Sequence, residues 1–171
     1  MSNAKYIKHE NGRLKEQEST SISQGALSAG AIPALGTDGR LDLSLMPTGI
    51  APDTLVAVAS DNLSGGMLVN VWDDNGVASF RRADASIAGK EADGFVLESA
   101  SIGETVMCYF EGRNTALTDL IVGKRYYLSA IDAGKVSDVV PTESGNVVQY
   151  IGRAISTTAL SFEATDGIIL A

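Results

Sequence analysis

Short runs of β-forming residues, each cut off by a turn signal, constrain this 171-residue chain more than any other feature of it. Met67–Trp72 and Val77–Arg82 are two such runs, and Asp73-Asp74-Asn75-Gly76 joins them. Two β runs across an Asn-Gly pair are the strongest local hairpin signal, because both residues accept the positive φ angles of a tight two-residue turn. Further runs follow at similar spacing: Leu55–Ala59, Phe95–Glu98, Thr105–Glu111, Tyr126–Ser129, Val147–Ile151, Ala154–Ile155, Leu160–Glu163 and Ile168–Leu170. Within Thr105–Glu111 the residues alternate. Val106, Cys108 and Phe110 share one face, and Thr105, Met107 and Tyr109 share the other. Many of the chain's 18 glycines fall between these runs. Helix signals are confined to one short turn within residues 83–92, interrupted by Gly89, and another within 115–122. The pattern predicts an all-β fold, a compact sandwich or small barrel of short antiparallel strands with an extended N-terminal arm.

Composition agrees with a folded domain. Hydrophobic residues make up 44% and charged residues 20%, enough for a core without disulfide or metal support, and no apolar run is long enough to span a bilayer. The formal charge of −8 repels phosphate backbones and anionic lipid, so neither nucleic acid nor membrane is expected as a partner. The single cysteine, Cys108, permits no internal disulfide and reads as a small buried hydrophobe. The first twenty residues lack the apolar stretch of a secretory signal, which predicts synthesis in a reducing cytoplasm.

The chain changes character twice. Residues 1–24 form a polar arm, with four basic against three acidic side chains, while the remainder has nine against eighteen. An arm this polar cannot offset its ordering entropy with its own apolar surface, so it is expected to be free or to lie along a partner. Residues 25–54 form a connector carrying Pro33, Pro47 and Pro52 and a turn signal at Thr37-Asp38-Gly39-Arg40. In it Leu41, Leu43 and Leu45 alternate with Asp42 and Ser44, which predicts a short strand or extended strip laid on a surface. Residues 55–171 are the all-β domain.

Catalytic equipment is sparse. His9 lies in the polar arm, where no pocket is expected, and one histidine with one cysteine leaves no ordinary zinc site. Asp73-Asp74-Asn75-Gly76 lacks the alternating ligands and closing glutamate of a calcium loop. Gly123-Lys124-Arg125 lacks the serine or threonine and the upstream glycine of a phosphate loop. Glu98, Glu104 and Glu111 lack the aromatic platform of a glycosidase. No catalytic residue, metal or cofactor is expected. Trp72 with Arg81 and Arg82 is the one basic–aromatic cluster, readable as a core tryptophan beside solvated arginines or as a contact patch.

The stretches Ala92–Gly112, Leu120–Ser129 and Ser144–Ser156 resemble a domain common in virion proteins of tailed bacteriophages, and Ala31–Pro47 is similar to a second piece frequent in the same proteins. The resemblance covers roughly the last four fifths of the chain. It implies a non-enzymatic structural protein of the virion, found either on the head or in tail appendages. A chain of this length leaves no room for a long shaft plus a receptor-binding tip, which favours a head decoration, or cement, protein. Such a protein would be made in the host bacterial cytoplasm and would end on the head surface. Its expected partners are the major capsid protein and further copies of itself, as a trimer or dimer. The expected contact residues are Lys5, Tyr6, Ile7, Lys8, Arg13 and Leu14 in the arm and Ile32, Leu35, Leu41, Leu43, Leu45 and Met46 in the connector, together with Trp72, Arg81 and Arg82. The alternative implied by the same resemblance is a short tail, collar or fibre-attachment protein with an adhesive or glycan-binding surface.

Overall fold

The structure, a computed structural model, describes residues 4–37, 39–46 and 53–171. The chain divides into two compact units, Met1–Ala51 and Pro52–Ala171. Asp38, Pro47 and Pro52, named above in the connector, lie outside the described residues.

Unit 1 opens with strands β1 (Lys5–Glu10) and β2 (Arg13–Glu18), paired antiparallel from Lys5 opposite Glu18 to Glu10 opposite Arg13. The arm is therefore a hairpin and not an unpaired extended segment. The cause is local: Asn11 (φ 52°) and Gly12 (φ 78°) supply the two positive-φ positions of a tight turn whose twist matches the strands. After β2, Ser19 ties the chain back, its backbone N–H and its hydroxyl both donating to the Ala4 carbonyl at 2.8 and 2.7 Å. A single parallel bridge joins Thr20 to Pro33, and Gly25–Ser28 makes one 3-10 turn.

The strand expected over Leu41–Leu45 does not form. Leu43–Leu45 is a 3-10 turn, because the Asp42 carboxylate accepts the Ser44 N–H at 2.9 Å and tightens the backbone there. Among the described residues no strand lies beside these leucines to hold them extended.

Unit 2 begins with five strands, β3 (Thr54–Ala59), β4 (Leu68–Asp74), β5 (Val77–Arg82), β6 (Gly94–Val96) and β7 (Thr105–Tyr109). They close into a barrel in the order β3-β5-β4-β6-β7. The β4–β5 turn uses Asn75 (φ 56°) and Gly76 (φ 87°), as the sequence predicts. One ladder departs from the antiparallel expectation: β3 runs parallel to β5, with Val58 opposite Ser79 and Ala59 opposite Phe80. Parity requires this. A closed ring with an odd number of strands cannot alternate direction all the way round.

The chain continues through β8 (Gly112–Asn114), β9 (Arg125–Leu128), β10 (Val136–Ser137), β11 (Val147–Val148), β12 (Tyr150–Ala154), β13 (Leu160–Phe162) and β14 (Ile168–Ile169). Five of these form an antiparallel sheet in the order β10-β9-β12-β13-β8, and β11 pairs with β14. The two stretches with helix signals are turns and irregular segments.

Two apolar cores result. The barrel interior holds Val69, Phe80, Val96, Val106 and Cys108, with Ala59, Leu63 and Ala100. The second core lies between the barrel and the five-stranded sheet, where Leu68 and Phe95 meet Leu128, Ile151, Leu160 and Phe162. Strand β6 serves both, since adjacent residues of a strand point to opposite faces: Val96 enters the barrel and Phe95 the second core. The Phe95 ring lies 5.6 Å from that of Tyr109 and 5.2 Å from that of Phe162, centroid to centroid. Gly94 allows β6 to approach β7 closely, because a Cβ there would sit 2.6 Å from the Tyr109 carbonyl oxygen.

Candidate interaction surfaces

Unit 1 is ordered by hydrogen bonds and not by a core. None of its described apolar side chains is buried, and among its described residues only Ser19 is buried. The hairpin register sorts the predicted contact residues onto two faces. Lys5, Ile7 and His9 share one with Leu14, Glu16 and Glu18, while Tyr6, Lys8 and Glu10 share the other with Arg13, Lys15 and Gln17. On the first, Lys5 binds Glu16 at 2.6 Å beside Ile7 and Leu14, which are 63% and 76% exposed. On the second, Lys8 and Lys15 stand directly opposite each other, and both reach Glu10, at 3.6 and 3.4 Å. Those two cations hold the Glu10 carboxyl below its usual range, chiefly through the Lys15 hydrogen bond. Tyr6 on this face is half-buried, and its hydroxyl has no hydrogen-bond partner among the described residues.

The connector carries the remaining pegs. Serine hydroxyls organise it: Ser44 Oγ accepts from the Ser23 N–H and Ser28 Oγ from the Gln24 N–H, both at 2.8 Å. Leu41 and Leu45 line a cavity of about 220 Å³ with Thr20, Ser23, Ser28 and Pro33. Ile32, Leu35, Leu43 and Met46 stay exposed, as does Leu27, at 86% the barest of those described in unit 1. Leu27 and Ile22 were missed as pegs from sequence, although both are isolated large apolar groups among small and polar residues.

The basic–aromatic cluster is divided by the pleat. Arg81 shares the outer face of the barrel with Trp72 and Asn70, while Arg82 points the other way and pairs with Asp61 at 3.9 Å. The Arg81 guanidinium lies 5.3 Å from the Trp72 ring centre and donates to Asn70 Oδ1 and to the Gly89 carbonyl, each at 2.7 Å. Trp72 Nε1 donates to Ser60 Oγ at 2.7 Å. Asn70 in turn donates to Asp93 Oδ2 at 3.1 Å, and the same oxygen takes the Val71 N–H at 2.7 Å. Burial raises the Asp93 carboxyl above its usual range, and the neighbouring Glu91 charge adds to the rise against the opposing hydrogen bonds. This cluster spends its polar groups on holding its own barrel face together.

A cavity of unit 2, about 590 Å³, was not anticipated. Glu91, Asp93, Glu111, Glu163 and Asp166 line it beside Phe110 and Phe162, and no cation does. Its carboxylates come from separate stretches of the chain, so no local spacing announces them. The glycosidase-like set is not brought together: Glu111 lines this cavity, Glu104 accepts the Ser101 N–H at 2.7 Å, and Glu98 lines a separate hollow with Met107 and Tyr109. Among the described residues no group of three His, Cys, Asp or Glu side chains is placed to hold a metal ion. Asp73 instead accepts the Gly76 N–H at 2.7 Å and closes the β4–β5 turn. Lys124, of the phosphate-loop-like triplet, pairs with Asp138 at 2.5 Å.

Compared with known proteins, the chain matches no family model, no curated protein and no solved structure.

Proposed function

We propose that the protein is a bacteriophage head decoration protein: it docks unit 1 on the outside of an assembled shell, across the seams between capsomers, and carries unit 2 as a rigid body. One observation supports this reading above the others. Unit 1 is folded, yet among its described residues every large apolar side chain except the half-buried Tyr6 and Leu45 is exposed. Scattered exposed hydrophobes are ordinary on a domain with a core, but here the described residues form no apolar core beneath them. A two-stranded hairpin is marginal by itself in water, and a surface that covers Ile7, Leu14, Ile32 and Leu35 completes it. The resemblance of residues 31–47, 92–112, 120–129 and 144–156 to tailed-phage virion proteins supplies the class of partner.

The mechanism is mass action. A protein that binds the expanded shell and not its precursor stabilises the expanded state by the binding free energy it contributes there. Many copies on a lattice multiply contacts that are individually weak. Immunogold labelling of intact virions with an antibody against residues 53–171 tests the placement. The proposal expects gold distributed over the head at high copy number. Gold confined to the tail, collar or fibres, or absent from the particle, would overturn it.

A further inference from the structure

We infer that copies of this chain associate through the cationic face of the β1–β2 hairpin, which docks on unit 2 of a second copy; this rests on the self-association, as a trimer or dimer, expected of the proposed head decoration protein. Charge is divided unevenly along the chain. Unit 1 has five basic and five acidic residues, whereas unit 2 has eight and sixteen. Two unit 2 surfaces of net charge −8 repel on approach, so a contact between copies is favoured where cations are brought from elsewhere.

The hairpin has them, and on one face. Lys8, Arg13 and Lys15 lie with Tyr6 and Gln17 on a face whose only acid is Glu10. The opposite face has Lys5 against Glu16 and Glu18. Lys8 and Lys15 are directly cross-strand, an arrangement that costs stability in an isolated hairpin. Glu10 is shared between the two of them, and Arg13 has no ion pair among the described residues. One carboxylate for three cations leaves a net excess of two positive charges on a strand face, beside the flat ring of Tyr6. A carboxylate-rich protein surface answers that chemistry, and unit 2 of a neighbour is one. Each copy both gives a hairpin and receives one, and the expected dimer or trimer is the case in which the rotation between copies closes the assembly.

Sedimentation velocity on the full chain tests this at low salt and at 0.5 M salt, where screening shortens the reach of charge to a few ångströms. The expected result is a discrete dimer or trimer at low salt that dissociates at 0.5 M. Lys8→Gln/Arg13→Gln/Lys15→Gln should weaken association at low salt by roughly tenfold or more, because neutralised cations no longer offset the repulsion. Leu14→Ser, on the other face, should leave it unchanged, and circular dichroism checks that each variant keeps its β signal. An oligomer insensitive to salt and to the triple variant would overturn the hairpin mode while leaving self-association intact. A monomer under every condition would overturn both.

Discussion

At Asp93 burial and hydrogen bonding pull in opposite directions. Burial and the Glu91 charge favour the protonated carboxyl, while the Val71 N–H and Asn70 favour the charged one, and the net shift is upward. A carboxyl raised on folding contributes stability that is fully present below its unfolded pKa, about 3.9, and is lost as pH rises through the folded value. Asp93→Asn keeps an acceptor for Val71 and cannot ionise. It should therefore match or exceed the wild type at pH 7, by at most about 1 kcal/mol given solvent screening, with the gap closing toward pH 4. Urea unfolding at the two pH values measures this, and a gap independent of pH would refute the assignment. Cys108 is coupled to the same charge. Burial, with a lesser contribution from Asp93, pushes its thiol up to about 12. In the native state it should resist thiol reagents at pH 8 and react only through opening of the barrel, on the order of a thousandfold more slowly than a free cysteine. Labelling at the rate of an exposed thiol would contradict the barrel interior. Phe95 joins both layers of packing, and Phe95→Ala should cost about 3–5 kcal/mol in denaturant unfolding.

Two hairpins with the same Asn-Gly turn differ in what lies beneath them, and that decides what each contributes. Gly12 (φ 78°) and Gly76 (φ 87°) are equally intolerant of a side chain, at about 1–2 kcal/mol for alanine. Gly76→Ala should lower the melting temperature of unit 2, because β4 and β5 wall the barrel core. Gly12→Ala should leave that melting temperature unchanged, because β1 and β2 cover no buried apolar group. Equal shifts from both would contradict the division into two units. The same contrast explains which elements were legible in sequence. Val77–Arg82 could be read to the residue because its β-forming residues start directly after the Asn-Gly turn signal that pairs them with the preceding run. The first hairpin carries the same Asn-Gly signal, but its strands are Lys-Tyr-Ile-Lys-His-Glu and Arg-Leu-Lys-Glu-Gln-Glu, with no apolar face to show a period of two. Strands β8 and β10 escaped for a related reason: Gly-Arg-Asn and Val-Ser are too short and too polar to have a period at all. The parallel β3–β5 ladder follows from barrel closure, a property of the whole ring that no stretch of residues encodes.

At the scale of the molecule, both buried apolar cores lie in unit 2, while the described part of unit 1 exposes large apolar side chains with no buried apolar residue beneath them. The apolar pegs were legible because a large hydrophobe in a polar or proline-rich stretch stands out, and Leu35, Leu43 and Met46 are exposed as their surroundings suggest. The acid-lined cavity was not legible, because its walls come from residues 91–93, 110–111, 149 and 162–167, which only the fold gathers. If unit 1 docks and unit 2 is carried, the two roles separate on truncation. Residues 52–171 alone should melt within a few degrees of the full chain, since both cores lie entirely inside that span. The most direct test of the docking account is co-sedimentation of the full chain and of residues 52–171 with expanded phage heads that lack the protein. The account predicts that the full chain pellets with the heads in saturable, stoichiometric amounts and that the truncated chain stays in the supernatant. Equal binding by the two, or binding by neither, would contradict it.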